Sequence, residues 1–312
     1  MKDPGMNRQD SLPSGSVISF SQQNYPILGS SITHDPLRKS ISILLMTILV
    51  HPLLFGQTDS LDLENKIYHI NYAFDVPLTI LTSASALGGF IVVDKKPALD
   101  SLTIIGLDAN DINRFDRSAT WQDAEFAPVA RRISDATLGF SNVLPFFLFL
   151  DDKIRKDWDD VLLLYLETQA IVGNLYSWGS VVWVDRIRPL VYNPEVPWDE
   201  RAGRRTRNAF YSGHTSMTTS ASFFTAKVYC DYHPELGRKK FLVYSLALIP
   251  SATTAFFRYK GLKHFPTDVL TGMAVGAGAG ILIPHLHKKK NPNLVIVPFG
   301  GQVNGLALSY KF

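Results

Sequence analysis

Thiol chemistry is almost missing from this chain, which places a single cysteine, Cys230, among 312 residues. One thiol closes no internal disulfide and builds no thiolate cage, so a stapled scaffold and a cysteine zinc site are both excluded. A surplus of charge is missing too. The 31 basic side chains face 28 acidic ones, a net +3, and that offers no broad surface for nucleic acid. Basic residues therefore matter only where they cluster. Internal repeats are absent, and so is any low-complexity tract beyond the polar first 36 residues, rich in Ser, Pro and Gln.

What the chain has is apolar residues, 46% of the total, which suffices for a full core and excludes a disordered chain. In residues 37–57, LRKSISILLMTILVHPLLFGQ, Arg38 and Lys39 precede a continuous apolar stretch from Ile41 to Leu49. That is the layout of a secretory signal with Gly56 as cleavage point; an uncleaved anchor is the alternative.

Six further apolar blocks follow, at 76–93, 133–150, 160–184, 208–226, 241–257 and 269–286. Each approaches the roughly 20 residues that a bilayer-spanning helix needs. Glu167, Gln169, Asn174 and the serines and threonines of the fourth block must then face the bundle interior, because lipid satisfies no polar group. The mean hydropathy of +0.05 is low for six full spans, so a soluble or half-embedded bundle is the competing expectation. The small residues of GMAVGAGAG, 272–280, permit close helix approach. Orientation is contradictory: HKKKN, 287–291, belongs on the cytoplasmic side, yet six spans counted back from it put residue 58 there as well, against an export signal. The conflict disappears if one block, the second or the fourth, does not cross.

The expected fold is all-α, an antiparallel bundle of about six helices ending in a short hairpin-like tail. Residues 1–57 form the leader, 58–132 an N-terminal helix and connector, 133–290 the core and 291–312 the tail. In that tail Leu306, Leu308, Tyr310 and Phe312 share one face of a β-type run, expected to pack on the helices.

Three stretches gather groups fit for an oxyanion. VDRIRPL, 184–190, puts Arg186 and Arg188 at the close of the third block, where Pro189 is expected to stop the helix. Taken alone it could equally be a helix end meeting headgroups. NAFYSGHTSM, 208–217, puts Ser212, Gly213 and His214 at a helix start, where unpaired amides can face an anion and His214 can protonate a leaving oxygen. FRYKGLKHFPTDVLTG, 257–272, offers Arg258, then His264 just before a helix opened by Pro266, then Asp268 four residues on. A carboxylate there is expected to fix one ring nitrogen of His264 and free the other as a nucleophile.

Together the three resemble the signature of the type 2 phosphatidic acid phosphatase and vanadium haloperoxidase superfamily, in its bacterial membrane form. That signature runs lysine, six residues, Arg-Pro; then Pro-Ser-Gly-His; then Ser-Arg, five residues, His, three residues, Asp. Arg188-Pro189, Ser212-Gly213-His214, and Arg258 with His264 and Asp268 match in order and spacing. DINRFDRSA, 111–119, is a softer likeness. The resemblance implies that His264 attacks phosphorus to form a phosphohistidine, Asp268 orients it and His214 protonates the leaving group. Arg188, Arg258, Ser212 and Gly213 would hold the phosphoryl oxygens, with no metal and no cofactor.

Three positions depart from the pattern. The signature lysine falls on Val181, Tyr211 replaces the proline and Phe257 the serine. Arg186 is the candidate substitute for the lost cation. The expected activity is removal of phosphate from a lipid-linked or prenyl-linked monoester or diphosphate in a bacterial envelope, with the site on the periplasmic side. Arg201, Arg204, Arg205 and Arg207 either grip an anionic headgroup or form a solvated loop. The alternatives are an acid phosphatase of small esters, a haloperoxidase, and an inactive membrane-binding member. The sequence does not set the oligomeric state.

Overall fold

The computed structural model describes residues 66–289, together with the backbone of 294–299 and 305–310. All of these lie in the compact unit of Ser42–Phe312. The leader with its signal or anchor, and the packing of the tail's side chains, lie outside the described residues.

Among the described residues six long helices make the architecture: α1 (Tyr72–Asp94), α2 (Ala127–Phe147), α3 (Trp158–Tyr176), α4 (Gly213–Tyr232), α5 (Lys240–Lys260) and α6 (Pro266–His287). The fold is the all-α bundle expected. The backbones of β1 (Leu294–Phe299) and β2 (Gly305–Tyr310) run antiparallel, Leu294 opposite Tyr310.

At the centre stands α4, packed against α2, α3, α5 and α6, while α1 covers α3. The sequence of α4 explains why it is inside. Most of its serines and threonines are buried, yet many return their hydroxyls to the helix itself: Ser216 to Gly213 O at 3.0 Å, Ser220 to Met217 O at 3.0 Å and Ser222 to Thr218 O at 2.9 Å. A polar helix so satisfied can be surrounded by apolar ones.

The tightest neighbour is α6, whose Gly272, Gly276 and Gly280 form a stripe against Ser212, Ser216 and Ser220 of α4. A methyl group on Gly272 would lie 2.7 Å from Ser212 O, and one on Gly280 2.5 Å from Ser220 O, closer than any real contact. This stripe sets the crossing that brings the start of α6 beside the start of α4.

Among the described residues four segments are long and apolar enough to cross a membrane: Tyr72–Asp94, Ala127–Leu150, Pro234–Lys260 and Pro266–His287. Their outward side chains, such as Leu87, Phe140, Ile249 and Leu282, are exposed apolar groups. Six apolar blocks of the sequence thus give four such segments among the described residues. Helix α3 buries Asp160, Glu167 and Asn174, and α4 buries its hydroxyls, so the third and fourth blocks owe their apolar residues to an inner position. Of the two blocks suspected of not crossing, the fourth falls outside the four and the second within them.

Candidate active site at one end of the bundle

Backbone hydrogen bonds stitch the three motif stretches together. Arg186 N–H donates to Arg207 O at 3.1 Å, Arg188 N–H to Thr206 O at 2.8 Å, and Ala209 N–H returns to Arg186 O at 3.0 Å. Leu190 N–H reaches Leu262 O at 3.0 Å, and Ser212 N–H reaches Asp268 O at 3.1 Å. Residues 186–188 are therefore extended and not helical, a correction to the sequence reading. Helix α3 closes at Tyr176, a π-type turn follows over Ser177–Val181, and Pro189 opens the short helix Pro189–Tyr192 at its first position. Proline suits that place because the first helical N–H has no partner to lose.

Ser212 caps α4, its hydroxyl accepting from Thr215 N at 3.4 Å. The first intrahelical donor is Ser216 N–H, at 3.0 Å from Ser212 O, so the amides of Gly213 and His214 are the free first-turn donors of this helix. Gly213 rests against the Tyr176 ring, and a Cβ there would lie 2.8 Å from it.

Arg188 and Arg258 are both buried, and the Nε of each has no hydrogen-bond partner among the described residues. Arg188 spends one Nη2 donor on Asn208 O at 3.3 Å. Arg258 donates from Nη1 to Asp135 Oδ1 at 3.3 Å. The same oxygen lies 3.1 Å from His214 Nε2. Buried guanidinium donors without partners are costly, and a bound oxyanion relieves that cost.

His264 is buried just before α6 and donates from Nδ1 to Ala209 O at 2.7 Å. A carbonyl only accepts, so the proton sits on Nδ1 and the neutral ring keeps its lone pair on Nε2. Burial, then Arg188 and Arg258, hold His264 well below the usual histidine range. Burial, with Arg258, Arg188 and Lys263, likewise pushes His214 down to about 3. A dianion set against the three cations offsets their part of that shift.

Two expectations need correction here. Asp268 does not hydrogen-bond His264, since Oδ2 stands 3.9 Å from Nδ1. That oxygen accepts Phe265 N–H at 2.8 Å and so caps α6. Arg186, offered as the substitute phosphate cation, is already held. It pairs with Asp268, with Thr267 Oγ1 at 2.8 Å and with Asp116 Oδ2 at 2.7 Å, and lies over the Phe265 ring. Two buried carboxylates leave its planar fork little left to offer a ligand.

Asp116 belongs to DINRFDRSA and fastens that connector to the start of α6. Its carboxylate accepts Thr267 N–H at 2.9 Å and Thr267 Oγ1 at 2.7 Å, besides Arg186. Burial alone would raise its pKa, but Asn113, Thr267 and Arg186 outweigh it and the group is held below the usual range. Lys263, immediately before His264, has Nζ 3.7 Å from Glu200 Oε1, and Glu200 also binds Arg131. Sequence reasoning missed Asp116, Asp135, Lys263 and the Ala209 carbonyl. Only Asp116 had left a trace, through its connector.

In the arginine-rich loop, Arg201 donates to Val191 O at 2.9 Å, Arg205 meets Asp94 at 2.7 Å and Arg207 lies 3.5 Å from Asp185. Three of the four thus have partners in the chain, and Arg204 is exposed. Among the described residues no group of three or more His, Cys, Asp or Glu is placed to hold a metal ion.

The model of the PAP2 superfamily matches residues 160–292, a span holding all three motif stretches. Among solved structures the chain is similar to the first transmembrane PAP2 type phosphatidylglycerolphosphate phosphatase from Bacillus subtilis. The identity is 20%, the coverage 65% of this chain and 94% of that chain, and the TM-score 0.39. No curated protein matches the sequence.

Proposed function

We propose that the chain, whose residues 160–292 match the model of the PAP2 superfamily, is a membrane phosphatase acting on a lipid-linked or prenyl-linked phosphate. The observation that carries the reading is the pair of buried, unpartnered Nε groups on Arg188 and Arg258, set around a histidine whose Nε2 is a free lone pair.

The chemistry follows from those groups. Arg188, Arg258 and the amides of Gly213 and His214 hold the equatorial oxygens, where charge stabilisation dominates. Nε2 of His264 attacks phosphorus, and the P–O bond to the leaving group breaks with its electron pair on oxygen. Nδ1–H keeps its bond to Ala209 O while the ring becomes cationic. His214, protonated once the dianion offsets the neighbouring cations, gives its Nε2 proton to the leaving oxygen, which displaces Asp135 from that proton. Water then attacks the phosphohistidine, His214 takes a proton from it, and inorganic phosphate leaves with His264 restored. Asp268 acts as a positioning residue, capping α6 and holding Arg186. No step is assigned to a metal or cofactor.

Apolar helix faces around the bundle suit a substrate whose tail stays in lipid. The domain plan of leader, connector, core and tail, the bacterial envelope and a periplasmic site are parts of the same proposal.

The test is phosphate release by the detergent-solubilised protein from phosphatidate, an isoprenyl diphosphate and a small soluble ester, with His264→Ala alongside. Release from the lipid or prenyl substrates that His264→Ala abolishes is the expected outcome. Release that persists in His264→Ala contradicts the mechanism, and activity on the soluble ester alone contradicts the substrate class.

A further inference from the structure

The cradle has one more cation than the motif supplies. Lys263 follows Leu262, whose backbone is left-handed at φ 59°, and its own N–H is tied to Arg258 O at 3.2 Å. The side chain thus leaves the chain between the phosphate-facing Arg258 and the nucleophile His264. It is mostly covered, 21% exposed, and its one close carboxylate among the described residues, Glu200 at 3.7 Å, is shared with Arg131.

Charge bookkeeping shows what such a place is for. Arg188, Arg258, Arg131 and Lys263 are four cations at this end of the bundle, and Asp135 and Glu200 are the two carboxylates set against them. Arg186 with Asp116 and Asp268 adds one cation and two carboxylates, and the end of the bundle stays net positive, as an anionic ligand requires. Lys263 is also close enough for its charge to act on His214, across the site on α4. Meanwhile Val181 is wholly buried in the turn after α3 and presents no charge.

We propose that Lys263 is a phosphate-binding residue of this site, its ammonium moving from the shared Glu200 carboxylate to a non-bridging oxygen of the substrate. The inference rests on the phosphatase reading above and adds a ligand from the loop between α5 and α6. Its proton is loosely held before an anion arrives: burial, with Arg188 and Arg131 close by, lowers the group to about 7, against the opposing pull of Glu200. Arg258 and His214 face it as well. A bound dianion reverses the field, so phosphate binding takes up a proton and weakens as the pH rises through that value.

The experiment compares competitive inhibition by inorganic phosphate in the full-length wild type, Lys263→Met and Lys263→Arg, between pH 6 and 9, using the substrate that the wild type turns over best. In the wild type the inhibition constant should rise with pH above about 7. Lys263→Met should raise it about tenfold at pH 6 and little at pH 9. Lys263→Arg, which keeps its charge throughout, should hold the wild-type value at pH 6 and lose much of the alkaline rise. Equal inhibition constants in wild type and Lys263→Met at pH 6 overturn the proposal. If Lys263→Met does not fold, an unaltered alkaline rise in Lys263→Arg overturns it instead. Either result leaves the phosphatase reading standing as long as His264→Ala is inactive, whereas an active His264→Ala removes that reading first.

Discussion

One carboxylate oxygen, Asp135 Oδ1, lies 3.1 Å from His214 Nε2 and 3.3 Å from Arg258 Nη1. The proposed proton donor and one of the proposed phosphate ligands thus share a single acceptor, contributed by α2 from outside all three motif stretches. Asp135 is half exposed, so its hold on the His214 proton is screened. Asp135→Asn should leave the fold intact and move the alkaline limb of the pH profile of kcat down by about one pH unit. An unshifted limb would show that Asp135 has no part in keeping His214 protonated.

Arg186 gives a different kind of prediction, because its partners are structural. Removing its guanidinium leaves Asp116 and Asp268 buried without their shared counter-charge, a loss of about 3–5 kcal/mol in comparable buried pairs. Arg186→Ala should lower Tm strongly, while Arg204→Ala, on the exposed loop, should change it little. A stable Arg186→Ala protein with weakened phosphate binding alone would restore Arg186 to the role that the sequence suggested.

That reversal marks the limit of what was legible in the sequence. The helix start after Ser212, Pro266 at a first helical position and the closeness of His214, Arg188 and Arg258 to His264 followed from local rules and one joint motif. The partner of Arg186 did not, because Asp116 lies 70 residues earlier and meets it only when the connector folds over the start of α6. The acceptor for His264 is a backbone carbonyl, which no side-chain pattern reveals. Nor did apolar content separate the inner helices α3 and α4 from the four outer ones, since both kinds are rich in the same residues and differ in where their polar groups can be satisfied.

The buried state of His264 fixes a pH dependence of stability. Its pKa in the folded chain is well below the unfolded value of about 6.5, so below that pH the unfolded chain binds a proton that the folded one refuses. The resulting stability is present above about pH 6.5 and is lost as the pH falls. Asp116, also depressed, adds a second loss below about pH 4. Thermal denaturation of the wild type should show Tm falling from pH 7 to pH 5, and His264→Gln should flatten that fall. An equal slope in both proteins would place the responsible group elsewhere.

Gly272 tests the packing that positions the site. A methyl group there meets Ser212 O at 2.7 Å, a backbone atom that cannot swing aside. Gly272→Ala should cost about 1–3 kcal/mol and reduce phosphate release by separating the starts of α4 and α6. Gly278→Ala meets nothing within 4 Å and serves as the control on the same helix. Loss of activity in both variants alike would indicate a general weakness of α6 and not a contact at the site.

The central claim is that Nε2 of His264 takes the phosphoryl group. Rapid acid-free quenching during turnover of a substrate labelled in its phosphate, followed by peptide mapping, tests it directly. The expected result is an acid-labile, alkali-stable label on the peptide containing His264 in the wild type, missing in His264→Ala. Label on another residue, or full turnover with no covalent label in the wild type, would contradict it.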